Sequence, residues 1–202
     1  MHTKLIKTSY NQVAAAYNRN RQELKSTKYL NKLLTLLPPQ SSVLDLGCGA
    51  GIPVDTTLTA KGHLVTGLDI SKTQISLARK NCPRGDFQLK DISSLKPRQY
   101  AVAAVVSFYA IFHIPREKHS QLLQTINSFL PIGGYLLLTM GDRNFEGFHN
   151  FFGVTMWSSH YHPTTNTKLV QTAGFKILLD ELDTSGRENH QIILAQKINS
   201  SP

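Results

Sequence analysis

Asp69, Asp91 and His113 each follow a short apolar run and could accept or carry a proton beside a bound ligand. Upstream of them lies Val43-Leu44-Asp45-Leu46-Gly47-Cys48-Gly49-Ala50-Gly51, an apolar strand entering a glycine-rich turn, and Asp69 stands eighteen residues beyond its last glycine. Glycines let a backbone approach a ligand closely, and a helix that follows them aims its free N–H groups and positive end into the same space. An acid closing the next strand can accept both ribose hydroxyl protons. The spacing therefore predicts a pocket for a nucleotide-like cofactor. The turn reads G-x-G-x-G, with Ile52 at the third glycine position of a dinucleotide fingerprint, which weakens the case for a pyrophosphate. The absence of Gly-Lys-Ser/Thr after the turn excludes a phosphate-binding P-loop. Asp69 and Asp91 also have plain readings, as a turn residue before Ser71 and as a helix cap. Their joint position at the ends of successive strands favours ligand binding.

Further candidates lie downstream. His113, in Phe108-Tyr109-Ala110-Ile111-Phe112-His113-Ile114-Pro115, stands just past a fourth strand, where it is a candidate general base or a structural histidine at a helix boundary. Residues 141–163 break the pattern for 23 residues and carry Phe145, Phe148, Phe151, Phe152, Trp157 and Tyr161. We read this stretch as an irregular insertion, either the wall of an acceptor site lined by Tyr109, His113, Trp157 and Tyr161 or a hydrophobic cap on the sheet. His149, His160 and His162 lack a nearby cysteine and a helical His-x-x-x-His, so no metal site is expected. Cys48 belongs to the glycine turn and Cys82 ends a helix, which leaves a catalytic cysteine unsupported.

The elements that must position these residues follow from periodicity. Residues 4–37 read as an N-terminal helical arm, with Val13, Ala14, Ala16, Tyr17 and then Leu30, Leu33, Leu34, Leu37 at helical spacing before Pro38-Pro39. Strands are expected at 43–46, 63–68, 87–89, 101–107 and 132–140, and two more at 176–182 and 191–197 around Ser185-Gly186-Arg187. Helices are expected from Pro53 to Gly62, from the capping box Ser71-x-x-Gln74 to Asn81, from Pro115 to Leu130 and from Thr164 to Ala173. The run 101–107 lacks alternation and suits a central strand buried on both faces. Strands alternating with helices argue an α/β, doubly wound sheet. Asn199–Pro202 reads as a frayed tail.

Bulk properties narrow the setting. With 202 residues, 41% hydrophobic and 17% charged, the chain suits one well-buried domain, 1–202. The start has no apolar segment of a secretory signal, and no run approaches the roughly 20 residues that cross a bilayer. A cytoplasmic protein with two reduced thiols and no membrane association is the expectation. The net charge of +9 favours polyanions or anionic small molecules as neighbours, but the basic residues are scattered, as solvated faces would be. Nucleic acid stays possible as a partner.

These residues resemble class I S-adenosylmethionine-dependent methyltransferases. V-L-D-L-G-C-G-A-G is close to that family's first motif, Asp69-Ile70 to its second-strand acid, and Asp91-Ile92 to its adenine-holding pair. Ser107 to Ile111, Pro131-Ile132-Gly133-Gly134 and Tyr10 to Tyr17 are similar to its fourth-strand end, the turn before its fifth strand and its N-terminal helix. The resemblance covers nearly the whole chain. It implies a Rossmann-like, seven-stranded, mostly parallel sheet with one antiparallel strand in a three-layer α/β/α arrangement. It also implies S-adenosylmethionine as cofactor and S-adenosylhomocysteine as product. In that case Gly47, Cys48, Gly49 and Gly51 pack under the methionine part, Asp45 reaches its amino end, and Ser107 closes the fourth strand beside it. Asp69 takes the ribose hydroxyls, Ile70 and Ile92 sandwich adenine, and Asp91 accepts from its exocyclic amine. Tyr10 or Tyr17 either closes over the carboxylate or simply packs in the helix.

One departure is the stretch Tyr100-Ala101-Val102-Ala103-Ala104, which lacks the acid the family often has there. The Asn/Asp-Pro-Pro-Tyr/Phe motif is absent after Ser107, which disfavours the exocyclic amines of DNA bases. The implied function is methyl transfer to a small-molecule acceptor by in-line displacement. The alternatives are an RNA or protein methyltransferase and a non-catalytic S-adenosylmethionine-binding module.

Overall fold

A computed structural model describes residues 2–21, 27–185 and 189–198. Seven strands form one sheet: β1 (Ser42–Leu46), β2 (Leu64–Asp69), β3 (Asp86–Leu89), β4 (Ala104–Ser107), β5 (Tyr135–Gly141), β8 (Phe175–Asp183) and β9 (His190–Lys197). Their order is β3-β2-β1-β4-β5-β9-β8, parallel except for β9, which runs antiparallel to both of its neighbours. The chain lays β1, β2 and β3 outward in one direction and then crosses to place β4 on the free side of β1. A crevice opens at such a switch point, beyond the carboxyl ends of β1 and β4.

Side-chain alternation along the strands splits the core in two. Val43 and Val65 point with Ala104 and Val106 toward helices α2 (Thr27–Leu34) and α3 (Val54–Ala60), meeting Leu30, Leu33 and Leu58. Leu44 and Leu46 point with Val105 toward α5 (His119–Asn127) and α6 (Pro163–Thr172), meeting Leu123, Ile126 and Val170. Helix α4 (Lys72–Asn81) packs Ile75 and Ala78 on Phe87 of β3. The expected three-layer α/β/α sandwich with its single antiparallel strand is present.

Several expectations change. The arm read over 4–37 comprises α1 (Thr3–Arg21) and α2, and residues 22–26 lie outside the described residues. The helix expected from Pro115 begins as a 3-10 turn, Arg116–Lys118, before α5. The fifth strand starts at Tyr135, because Gly133, at φ 82°, makes the turn before it. Gly186-Arg187 and Asn199–Pro202 also lie outside the described residues.

The largest correction concerns 141–163, which is regular: β6 (Phe145–Phe151) and β7 (Val154–His160) form an antiparallel hairpin. Phe152 and Gly153 turn between them with φ values of 51° and 85°. Two consecutive positive φ angles mark the primed turn whose twist matches a hairpin's. Phe145, Gly147, His149 and Phe151 alternate with the exposed Glu146, Phe148 and Asn150, a period of two that only a half-covered strand requires. The inner side of β7 receives α1, where Ile6 packs on Met156 and Trp157 and the Ser9 hydroxyl donates to the Thr155 carbonyl at 2.8 Å.

Candidate functional site

A cleft open to solvent lies at the switch point. Gly47 and Gly49 after β1, Asp69 and Ile70 after β2, Asp91 and Ile92 after β3, and Phe108 to Ala110 after β4 form its floor. Its cover is α1, which presents Thr3, Ile6, Tyr10 and Tyr17 along one face.

The glycine turn engages most of its own amides within the protein. Gly47 N and Cys48 N both donate to the Leu68 carbonyl, at 2.8 and 3.0 Å, and Gly51 N donates to the Cys48 carbonyl at 3.0 Å. Gly49 N donates to Asp69 Oδ2 at 3.0 Å. These donors are spent within the protein, so the turn offers smooth backbone surface where a phosphate would need N–H groups. Closeness is the reason for glycine at 47: a Cβ there would stand 2.4 Å from that of Ala110, and φ is 82°. Gly51 and Cys48 lie beneath the turn, against Ala78 and in the Cys82–Phe87 cluster. Burial raises the Cys48 thiol pKa well above its ordinary range, and Asp55, Asp69 and Asp45 add to the effect. Asp45 is buried within β1, and Ser107 Oγ donates to the Leu46 carbonyl at 2.9 Å, tying β1 to β4. None of Asp45, Cys48, Gly51 and Ser107 lines the cleft.

Asp69 and Asp91 stand on the floor. Asp69 Oδ1 accepts from Ser71 N at 2.7 Å, so with Gly49 one backbone donor holds each oxygen of the carboxylate. Asp91 Oδ1 accepts from Ser93 N at 2.8 Å and caps a 3-10 turn, Ile92–Ser94. The cap reading of Asp91 and its place in the cleft are both realised.

Opposite, His113 Nδ1 lies 2.9 Å from the Trp157 carbonyl and Nε2 lies 2.8 Å from the Tyr10 hydroxyl. A carbonyl only accepts, so Nδ1 carries the proton and Nε2 accepts from Tyr10. Burial lowers the His113 pKa to about 4, a shift opposed by the carbonyl hydrogen bond, and the ring is neutral at pH 7. Tyr109 reaches the cleft from a left-handed backbone, φ 59°, its N–H held by Thr139 Oγ1. Trp157 and Tyr161 are not brought to it. The Trp157 ring stacks on His2 at 4.3 Å, while Tyr161 lies beneath the Arg116 guanidinium. Gln74, His2, Ile6, Lys90 and Lys118 line the cleft without having been singled out as ligand residues. Among the described residues no group of histidines, cysteines and acids could hold a metal, and no helix is long and apolar enough to cross a membrane.

The order of the sheet and a crevice with an acid at the end of β2 define a Rossmann-like α/β protein. Residues 43–134 match the family described as methyltransferase domain. The trans-aconitate 2-methyltransferase of Variovorax paradoxus is 32% identical over 135 residues, 64% of this chain and 50% of that protein. A probable 18S rRNA (guanine-N(7))-methyltransferase of Dictyostelium discoideum is 32% identical over 112 residues, 50% of this chain and 39% of that one. The chain thus spans half or less of the length of these relatives. Magnesium protoporphyrin IX methyltransferase from Synechocystis PCC 6803, solved with S-adenosylhomocysteine, shares the fold at TM-score 0.76 and 18% identity, over 98% of this chain and 100% of that one. Residues 43–134 thus resemble a methyltransferase domain, and the chain shares its fold with S-adenosylmethionine-dependent methyltransferases.

Proposed function

We propose that the protein binds S-adenosylmethionine in this cleft and transfers its methyl group to a small-molecule acceptor. The observation that carries the reading is one continuous cleft with Asp69 and Asp91 on its floor and the Tyr10–His113 pair under its cover. The residues fit the cofactor: a turn whose Gly47, Cys48, Gly49 and Gly51 amides are already engaged suits a sulfonium or thioether better than a phosphate, and the nearby carboxylates suit its positive charge. When bound, the cofactor supplies a methyl group already activated for displacement. Asp69 accepts the ribose hydroxyls, Ile70 and Ile92 wall the adenine, and Asp91 accepts from its amine. Tyr17 and Tyr10 cover the methionine end.

At the acceptor end, His113 fixes the direction of the Tyr10 hydroxyl proton. A neutral imidazole this hard to protonate is a weak base. Rate therefore comes chiefly from alignment and exclusion of water beneath α1, and the acceptors that fit are acidic oxygens, such as carboxylic acids and phenols, or neutral amines. Isothermal titration with S-adenosylmethionine and S-adenosylhomocysteine should give saturable binding, weakened at least about tenfold by Asp69→Ala, which removes charge-assisted hydrogen bonds. No binding by the wild type would refute the reading. Binding without methyl transfer to any acid, phenol or amine would favour a non-catalytic module.

A nucleic-acid acceptor is the second reading, favoured by the net charge of +9. It requires RNA affinity that falls steeply with salt.

A further inference from the structure

Resting on the cofactor reading above, we infer that Gln74 donates a hydrogen bond from its side-chain amide to the nucleoside of the bound cofactor, at the ribose 2′ oxygen or purine N3, and that Asn18 of α1 orients the amide. In a capping box the third-position glutamine reaches back to the N–H of the cap residue. Here only half of that box forms: Ser71 Oγ accepts from Gln74 N at 3.2 Å. The Ser71 N–H is already held by Asp69 Oδ1 at 2.7 Å, so the Gln74 side chain has no partner behind it. It turns instead toward α1, where Oε1 accepts from Asn18 Nδ2 at 3.1 Å.

In this arrangement Oε1 faces Asn18 and Nε2 is the other end of the amide. Gln74 is 1% exposed and lines the cleft beside Asp69 and Ile70, and its Nε2 has no hydrogen-bond partner among the described residues. A buried amide donor left unmade is costly, and native interiors rarely tolerate one. An apolar residue of similar length would pack the same wall without that cost. The missing acceptor is therefore the ligand. Asp69 supplies acceptors for the ribose hydroxyl protons, whereas Gln74 supplies a donor, which the ribose oxygens and ring nitrogens of a nucleoside can use. The junction of β2 and α4 then reads both sides of the nucleoside's hydrogen-bonding pattern. Asn18 lies seven residues from Asn11, which accepts from Ser71 Oγ at 2.6 Å, so one stripe of α1 braces the start of α4.

The test is calorimetric binding of S-adenosylhomocysteine and its 2′-deoxy and 3-deaza analogues to the full chain. Gln74→Met keeps the length and removes the donor; it should weaken S-adenosylhomocysteine binding about tenfold. Asn18→Ala should cost about threefold, and adding it to Gln74→Met should cost nothing further, because both act through one amide. The analogue that lacks the accepting atom should bind wild type about tenfold more weakly and lose nothing more on Gln74→Met. Unchanged binding by a folded Gln74→Met, or an equal loss for all three ligands, overturns the inference. If Gln74→Met fails to fold, Asn18→Ala decides with the same ligands. Its penalty should vanish for one analogue, and an equal penalty for all three overturns the inference. Failure of the wild type to bind any of them overturns the cofactor reading itself, and this inference with it.

Discussion

Two contacts, one to a main-chain carbonyl and one to a side-chain hydroxyl, decide what His113 can do. Its Nδ1 proton is fixed by the carbonyl of Trp157, and its Nε2 is engaged by Tyr10, so the imidazole orients a phenol and does not stand open as a base. The expected outcome is spectroscopic: nitrogen shifts of His113 should report the Nδ1–H form from pH 8 down to pH 5, with protonation only near 4. A midpoint near the ordinary 6.5 would contradict this geometry. Tyr10→Phe should leave S-adenosylhomocysteine affinity within about threefold of wild type and lower kcat on an accepted substrate by at least about tenfold. At this scale the sequence was partly legible. Asp69, Asp91 and His113 stand on the cleft because strand ends can be found from apolar runs. Trp157 misleads, since its ring packs on His2 and its carbonyl supplies the contact. A reading by residue type cannot see a main-chain acceptor.

The site is a meeting of turns, and the tightest approach is that of the β1 turn to the segment after β4. Gly47→Ala would put a methyl group 2.4 Å from the Ala110 Cβ on a backbone at φ 82°. The left-handed strain alone costs about 1–2 kcal/mol, and overpacking adds about 1–3 kcal/mol. The two turns should separate, with S-adenosylhomocysteine binding reduced at least tenfold and far-UV circular dichroism retained. Unaltered affinity in Gly47→Ala would show that the approach is unimportant to the site. The central strands were legible because buried parallel strands are continuous apolar runs, as in Ala104–Ser107. The β6–β7 hairpin was not. Phe152-Gly153 lacks the Asn-Gly signature of its turn, and aromatic residues on both faces, Phe148 outside and Phe151 inside, blur the alternation. Covered by α1, that hairpin ties the arm to the site, a long-range consequence that no local pattern carries.

Across the whole molecule, the excess of 22 basic over 13 acidic side chains combines with buried neutral histidines to set how stability depends on pH. Burial pushes the pKa values of His113, His119 and His160 down, His113 to about 4. In the unfolded chain these rings take up protons near pH 6.5, and in the folded protein they do so at lower pH. The unfolded state therefore binds more protons below that point, so the stability present above pH 6.5 is lost progressively as the pH falls toward 4. His113 contributes at most about 1.4 kcal/mol per pH unit in this window, and His119 and His160 act in the same direction. Repulsion within an already cationic chain grows over the same range as carboxylates begin to protonate. The two causes separate in salt. Urea midpoints measured at pH 7.5, 6 and 4.5 should fall with pH, and about 0.5 M salt should remove the repulsive part while leaving the histidine part, because buried rings are poorly screened. His113→Gln should flatten the remaining slope whatever it does to stability at pH 7.5. A urea midpoint constant from pH 7.5 to 4.5 in high salt would mean that these rings titrate freely, and the closed packing of α1 over His113 would have to be abandoned.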